Sequence, residues 1–137
     1  MDILNFLFNL NLIILAGDHF VTGGSAFLYP ERAIKMYKII FGAELPPNEE
    51  YMAIIKPWGA LGVFAGYIGL LPLIDPSKYK AVLYGFLILL LVRIYIRLSN
   101  AKRAEKYFQL SVKRNLFHVL LITTSVFMIT FQILVVR

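Results

Sequence analysis

The stretch WGALGVFAGYIG, residues 58–69, decides the fold. Its glycines, Gly59, Gly62, Gly66 and Gly69, follow one another at intervals of 3, 4 and 3, which keeps them on one face of a helix. In a water-soluble helix interior each glycine costs roughly 1 kcal/mol relative to alanine, so such a stripe would be a burden. In a bilayer no hydrophobic effect drives helices together, and a glycine face lets a neighbouring backbone come close. The stretch therefore reads as part of a membrane helix. Its glycine face serves either packing within this chain or docking of a partner subunit's helix.

The rest of the chain agrees with that environment. Of 137 residues, 59% are hydrophobic and only 16% charged, with a mean hydropathy of +0.71. A soluble domain carries about 45–50% apolar and about 25% charged residues. The length suits one domain of about four spans of roughly 20 residues each. The net charge of +6 sits on residues that flank apolar segments, where it sets orientation and meets lipid headgroups. Nucleic-acid binding is not expected. Cysteine is absent, which excludes disulfides, thiolate metal sites and cysteine nucleophiles. The chain starts Met1-Asp2 without a basic leader, so the first apolar segment is expected to be retained as a helix.

Outward from the glycine stripe, the pattern predicts an all-α membrane four-helix bundle as a single domain over 1–137. Its helices are expected near 3–28, 49–74, 78–98 and 116–136. A short amphipathic helix near 31–41 lies at the surface, with Ile34, Tyr37 and Phe41 alternating with Lys35 and Lys38. Helix one is interrupted by Gly17-Asp18-His19, but Ile3 to Leu15 is too short to cross roughly 30 Å of hydrocarbon, which favours the continuous helix. Asn48 reads as an N-cap, Pro57 as a bend, Asp75-Pro76-Ser77 as a tight turn, and the basic stretch 99–115 as partly helical. Arg32, Lys35, Lys38, Lys102, Arg103, Lys106, Lys113 and Arg114 fall on one side, against Lys78, Lys80 and Arg137 on the other. The positive-inside rule then puts the first group in the cytoplasm and both termini outside.

This topology gathers Asp18, His19, Lys56, Arg93, Arg97 and His118 at one depth, roughly 5–13 Å inside the cytoplasmic boundary at 1.5 Å per residue. These are the candidate cofactor- or ligand-binding residues. Intramembrane ionisable groups are costly and usually pair or line a polar cavity. The blander readings are snorkelling by Arg97, Lys56 and Arg93, an ion pair of Asp18 with Arg93, and hydrogen-bonded structural roles for His19 and His118. No histidine spacing supports a metal site. Trp58, Tyr51, Tyr29, Tyr37 and Tyr107 read as an aromatic belt. Thr123, Thr124, Ser125, Thr130 and Gln132 read as interhelical hydrogen-bonding groups.

The start of helix two, Trp58 to Gly62, and the pair Arg93 and Arg97 ending helix three resemble the DoxX-like superfamily of small four-helix membrane proteins. The resemblance implies an accessory subunit of a membrane complex of the redox or energy-converting kind, and carries over no catalytic residue. With no catalytic set visible, the expected function is a non-catalytic integral membrane subunit. Its partners would be membrane lipids and other membrane subunits docked on the Gly59, Gly62, Gly66 and Gly69 face. The alternatives are a lipid- or quinone-binding enzyme or carrier using the Asp/His/Arg cluster, and a small transporter.

Overall fold

The structure is a computed structural model that describes residues 3–135, so Met1-Asp2, Val136 and Arg137 lie outside the described residues. The described chain is all helical in its regular structure: α1 (Ile3–Leu28), α2 (Pro30–Ile40), α3 (Glu49–Gly69), α4 (Leu71–Ile74), α5 (Lys80–Ser99), α6 (Ala101–Phe108) and α7 (Val112–Val135). Four stretches are long and apolar enough to cross a membrane: Ile3–Leu28, Glu49–Ile74, Lys80–Ser99 and Val112–Val135. The protein is thus an all-α, multi-pass membrane bundle. α1 runs unbroken through Gly17-Asp18-His19, which at 1.5 Å per residue gives it about 39 Å, enough to span.

Local chemistry explains most of the boundaries. The Asn48 side chain accepts from the Tyr51 backbone N–H at 2.9 Å, while Glu49 and Glu50 occupy the positive end of the α3 dipole. α3 continues through Pro57, and the span expected as one helix to Ile74 is broken at Leu70. Pro72 is the cause, because its ring crowds the carbonyl of Ile68 and forces the chain into a tighter turn. The Leu70 N–H accordingly reaches back to Tyr67 O at 3.2 Å. α7 begins at Val112, earlier than the apolar run that starts at Leu116, because Ser111 caps it there, its Oγ accepting from the Arg114 N–H at 3.3 Å.

α1 packs most extensively on α3, and α5 on α7, whereas α3 and α5 barely touch. The α1–α3 seam is the glycine stripe. A Cβ on Gly59 would lie 2.5 Å from Phe27 N and 2.6 Å from Gly23 O, and one on Gly62 would lie 3.0 Å from Gly23 Cα. Gly66 meets Ala16 and Phe20, and Gly69 meets the ring of Phe86. The stripe is filled by this chain's own helices. Of the two uses expected for the stripe, packing within this chain is the one these contacts show.

The termini-bearing half of the bundle is sealed by Phe8, Leu12, Leu83, Phe86, Leu90, Ile129 and Ile133. At the other end the two basic connections meet, since the Glu44 N–H donates to Phe108 O at 2.8 Å. That end is called the basic end below. There, α2 folds back on α1, where the Tyr37 hydroxyl donates to Thr22 O at 3.1 Å. Ala26, Ala33 and Ile55 close the junction of α1, α2 and α3.

Candidate functional site

The wide separation of α3 from α5 leaves a cavity of about 670 Å³ beneath α2. Its lateral mouth lies between exposed Trp58 on α3 and Leu89, Val92 and Ile96 on α5. Its inner wall carries Asp18, His19, Arg93 and Arg97, and Tyr37, Phe41 and Tyr51 roof it from the basic end. A second cavity of about 220 Å³ lies between α1, α5 and α7, with Ile14, Leu90, Leu121, Ile122, Ser125 and His118 in its lining. Asp18, Arg93, Arg97 and Phe41 border both spaces and so form a partition between them.

Five of the six residues expected at this depth line one or both cavities. Lys56 does not: it is exposed and borders neither. The stripe rhythm extends backward from Gly59 to buried Ile55, which turns Lys56 out toward the surface, where it is free to snorkel. The expected ion pair of Asp18 with Arg93 is also not formed. Among the described residues no hydrogen bond or ion pair uses the Asp18 carboxylate or the Arg93 guanidinium, and the one ion pair is Lys38 with Glu44. Arg93 and Arg97, spaced 4 apart on α5, present a common face to the cavities as expected.

The remaining side chains are held with differing rigidity. Arg97 donates to Asn115 Oδ1 at 3.0 Å, and Asn115 Nδ2 donates back to Arg97 O at 2.8 Å. This reciprocal pair fixes one edge of the guanidinium and leaves the others toward the cavities. Asn115 is 2% exposed, and its part went unread in the sequence because a pairing across separate helices leaves no spacing signal. His19 Nδ1–H donates to Leu15 O at 2.8 Å, and the ring stands edge-on to Phe86 at 5.9 Å. The structural role expected of His118 does not hold in the same way, because its buried Nε2 has no partner among the described residues. Of the hydroxyls on α7, Thr123 and Thr124 bond back to Val119 O and Leu120 O of their own helix. Ser125 crosses to Asn11 Oδ1 at 2.9 Å.

The roof is itself latched. The Arg114 guanidinium donates to the carbonyls of Ile39 and Ile40 at the end of α2. Gly42, at φ 71°, turns the chain there, and a Cβ on it would come within 2.6 Å of Arg114 Cδ. This holds the Phe41 ring between Tyr37 at 5.6 Å and His118 at 5.5 Å. Burial, then the neighbouring Tyr51 and Asp18, push the Tyr37 phenol above its ordinary value of 10.0, so it stays neutral.

Among the described residues no group of histidine, aspartate and glutamate side chains has the arrangement of a metal site. The site offers two guanidinium groups and a carboxylate on one wall beside the second ring nitrogen of His19, the Tyr51 phenol in the roof, and an apolar gap to the side. Comparison of the chain with protein-family models, with curated proteins and with solved structures finds no match in any of the three.

Proposed function

We propose that this protein binds an amphipathic membrane molecule, a lipid or a quinone, in the larger cavity. The observation that carries this reading is the lateral mouth between α3 and α5, with ionisable groups at its inner wall. A polar head at Arg93, Arg97 and Asp18 leaves its apolar tail to run out past Trp58, Leu89 and Val92 into the bilayer. The volume of about 670 Å³ falls within the roughly 300–1,000 Å³ common for small-molecule sites. Arginine suits the head because its rigid fork of donors grips phosphate or carbonyl oxygens. The unpaired state of Arg93 leaves it free to do so.

The accessory-subunit reading rests on small size, the lack of cysteine and of a catalytic set, and a glycine face; the last supports it less, because α1 and Phe86 pack on that face. Assembly with other subunits, and the DoxX-like kinship that suggested it, would need other lipid-facing surfaces. The positive-inside rule supports a cytoplasmic basic end, with the head-binding wall just inside that leaflet.

Mass spectrometry on protein extracted in mild detergent tests the reading. The expected result is a retained lipid or quinone in the wild type and its loss from Arg93→Gln at unchanged helix content. Stoichiometric co-purification of other membrane proteins, with nothing of low mass bound, would favour the subunit reading instead.

A further inference from the structure

Behind the partition, the smaller cavity presents a different problem. Two side-chain nitrogens near it, His118 Nε2 and Asn11 Nδ2, are buried with no partner among the described residues. A buried polar group left unsatisfied in an apolar interior forfeits the hydrogen bonds it makes in water, so it seeks a partner. Asp18 and Arg93 add charge to the same wall without an ion pair. The groups on α1 and α7 lie along one path. Asn11 and Asp18 share a face of α1, and Ser125 and His118 share a face of antiparallel α7, so two polar rungs stand about 10.5 Å apart. The upper rung is closed by the bond from Ser125 to Asn11 at 2.9 Å.

We propose that the smaller cavity is a water-filled chamber reached from the basic end, hydrating the back of the Asp18–Arg93–Arg97 partition as far as the Asn11–Ser125 rung. Its volume of about 220 Å³ has room for about seven molecules at about 30 Å³ each; most of its lining is apolar, but Asp18, Arg93, Arg97, His118 and Ser125 give such water the several polar partners it needs. Water supplies the donors and acceptors that His118 Nε2, Asn11 Nδ2 and the unpaired charges lack. Beyond the upper rung Phe8, Leu12, Ile129 and Ile133 form a dry plug, so the chamber ends at mid-bundle. The facing groups are Asp18 from α1, Arg93 and Arg97 from α5 and His118 from α7, while α2 offers only Ile40 and Phe41. The chamber goes beyond the ligand reading and does not depend on it. Its consequence for a ligand is that the partition exchanges protons with the aqueous phase at the basic end whether or not the larger cavity is filled.

The absence of cysteine makes the test direct. Ser125→Cys and Ile122→Cys place a single thiol in the chamber, Ile129→Cys one in the plug, and Phe127→Cys one on the exposed apolar surface. Each variant, stripped of bound ligand and held in lipid nanodiscs, is exposed to a small charged methanethiosulfonate reagent and followed by intact mass. Only a hydrated thiolate reacts, so Ser125→Cys and Ile122→Cys should be modified at least about tenfold faster than Ile129→Cys and Phe127→Cys. Equal, slow rates at all positions would overturn the proposal and indicate a dry space or one filled by a lipid chain. Should one chamber variant fail to fold, the other decides. Because no ligand takes part, failure here leaves the larger cavity's reading to its own test.

Discussion

Replacing Gly59 by alanine should loosen the bundle more than any other single methyl addition to a glycine of the α1–α3 seam. The added Cβ would sit 2.5 Å from Phe27 N, 2.6 Å from Gly23 O and 2.9 Å from Ala26 C, where ordinary contacts lie at 3.4–4 Å. All of these are backbone atoms, which cannot rotate aside, so α1 and α3 must part by about 1 Å along the closest stretch. Overpacking of this kind costs about 1–3 kcal/mol, a drop of about 5- to 140-fold in the folded-to-unfolded ratio. Gly17 and Gly85 provide matched controls, since a Cβ there meets nothing within 4 Å. Alanine at either should be neutral or stabilising by about 0.5–1 kcal/mol, because it only restricts the backbone. Gly23→Ala, whose Cβ would lie 2.7 Å from Gly59 O and 2.8 Å from Val63 N, should cost slightly less than Gly59→Ala, and the double variant should cost less than the sum, since the helices have parted already. Denaturant titration in mixed micelles followed by circular dichroism reads all five variants. If Gly59→Ala proved as stable as Gly17→Ala, the seam would not be the close contact described.

Asn115→Leu should destabilise the bundle by about 2 kcal/mol and free the Arg97 guanidinium, because it removes both bonds of a buried, charge-assisted pair; melting in detergent checks it. Gly42→Ala forces a left-handed turn on a residue with a Cβ and pushes against Arg114, so it should cost about 1–3 kcal/mol and raise protease cutting between residues 38 and 48. Asp75 accepts from the Lys78 N–H at 3.0 Å and from Ser77 N–H and Oγ–H at 3.0 and 2.7 Å, which hold its carboxyl below the ordinary 3.8. A lowered folded value means stability present above the unfolded value and lost as pH falls through the folded one. Amide exchange at Ser77 and Lys78 should therefore accelerate only below that range, and Asp75→Ala should abolish the dependence.

What could be read in the sequence was what periodicity and flanking charge encode. The glycine rhythm announced a close helix contact, and the Arg93–Arg97 spacing announced a shared face, because both are properties of one helix. Asn48 declared its cap for the same reason. Depth was legible too, but direction around the helix was read less well. Lys56 was grouped by depth alone, although carrying the stripe back to Ile55 would have turned it outward. The break at Leu70 went unread because the apolar run continues through Pro72 to Ile74, and apolarity carries no mark of where a proline interrupts the backbone. The roof of Tyr37 and Phe41, the Arg114 latch and the Asn115 clamp join residues from separate helices, and nothing in a linear pattern marks such pairings.

Trp58, the chain's single tryptophan, stands at the mouth of the larger cavity and reports directly on its occupant. Quinone titrated into protein held in nanodiscs should quench Trp58 emission in two parts, a shallow linear one from dissolved quencher and a saturable one from bound ligand. Arg93→Gln should remove the saturable part. A purely linear response, identical in wild type and Arg93→Gln, and the same again with a brominated anionic lipid, would contradict a ligand site between α3 and α5.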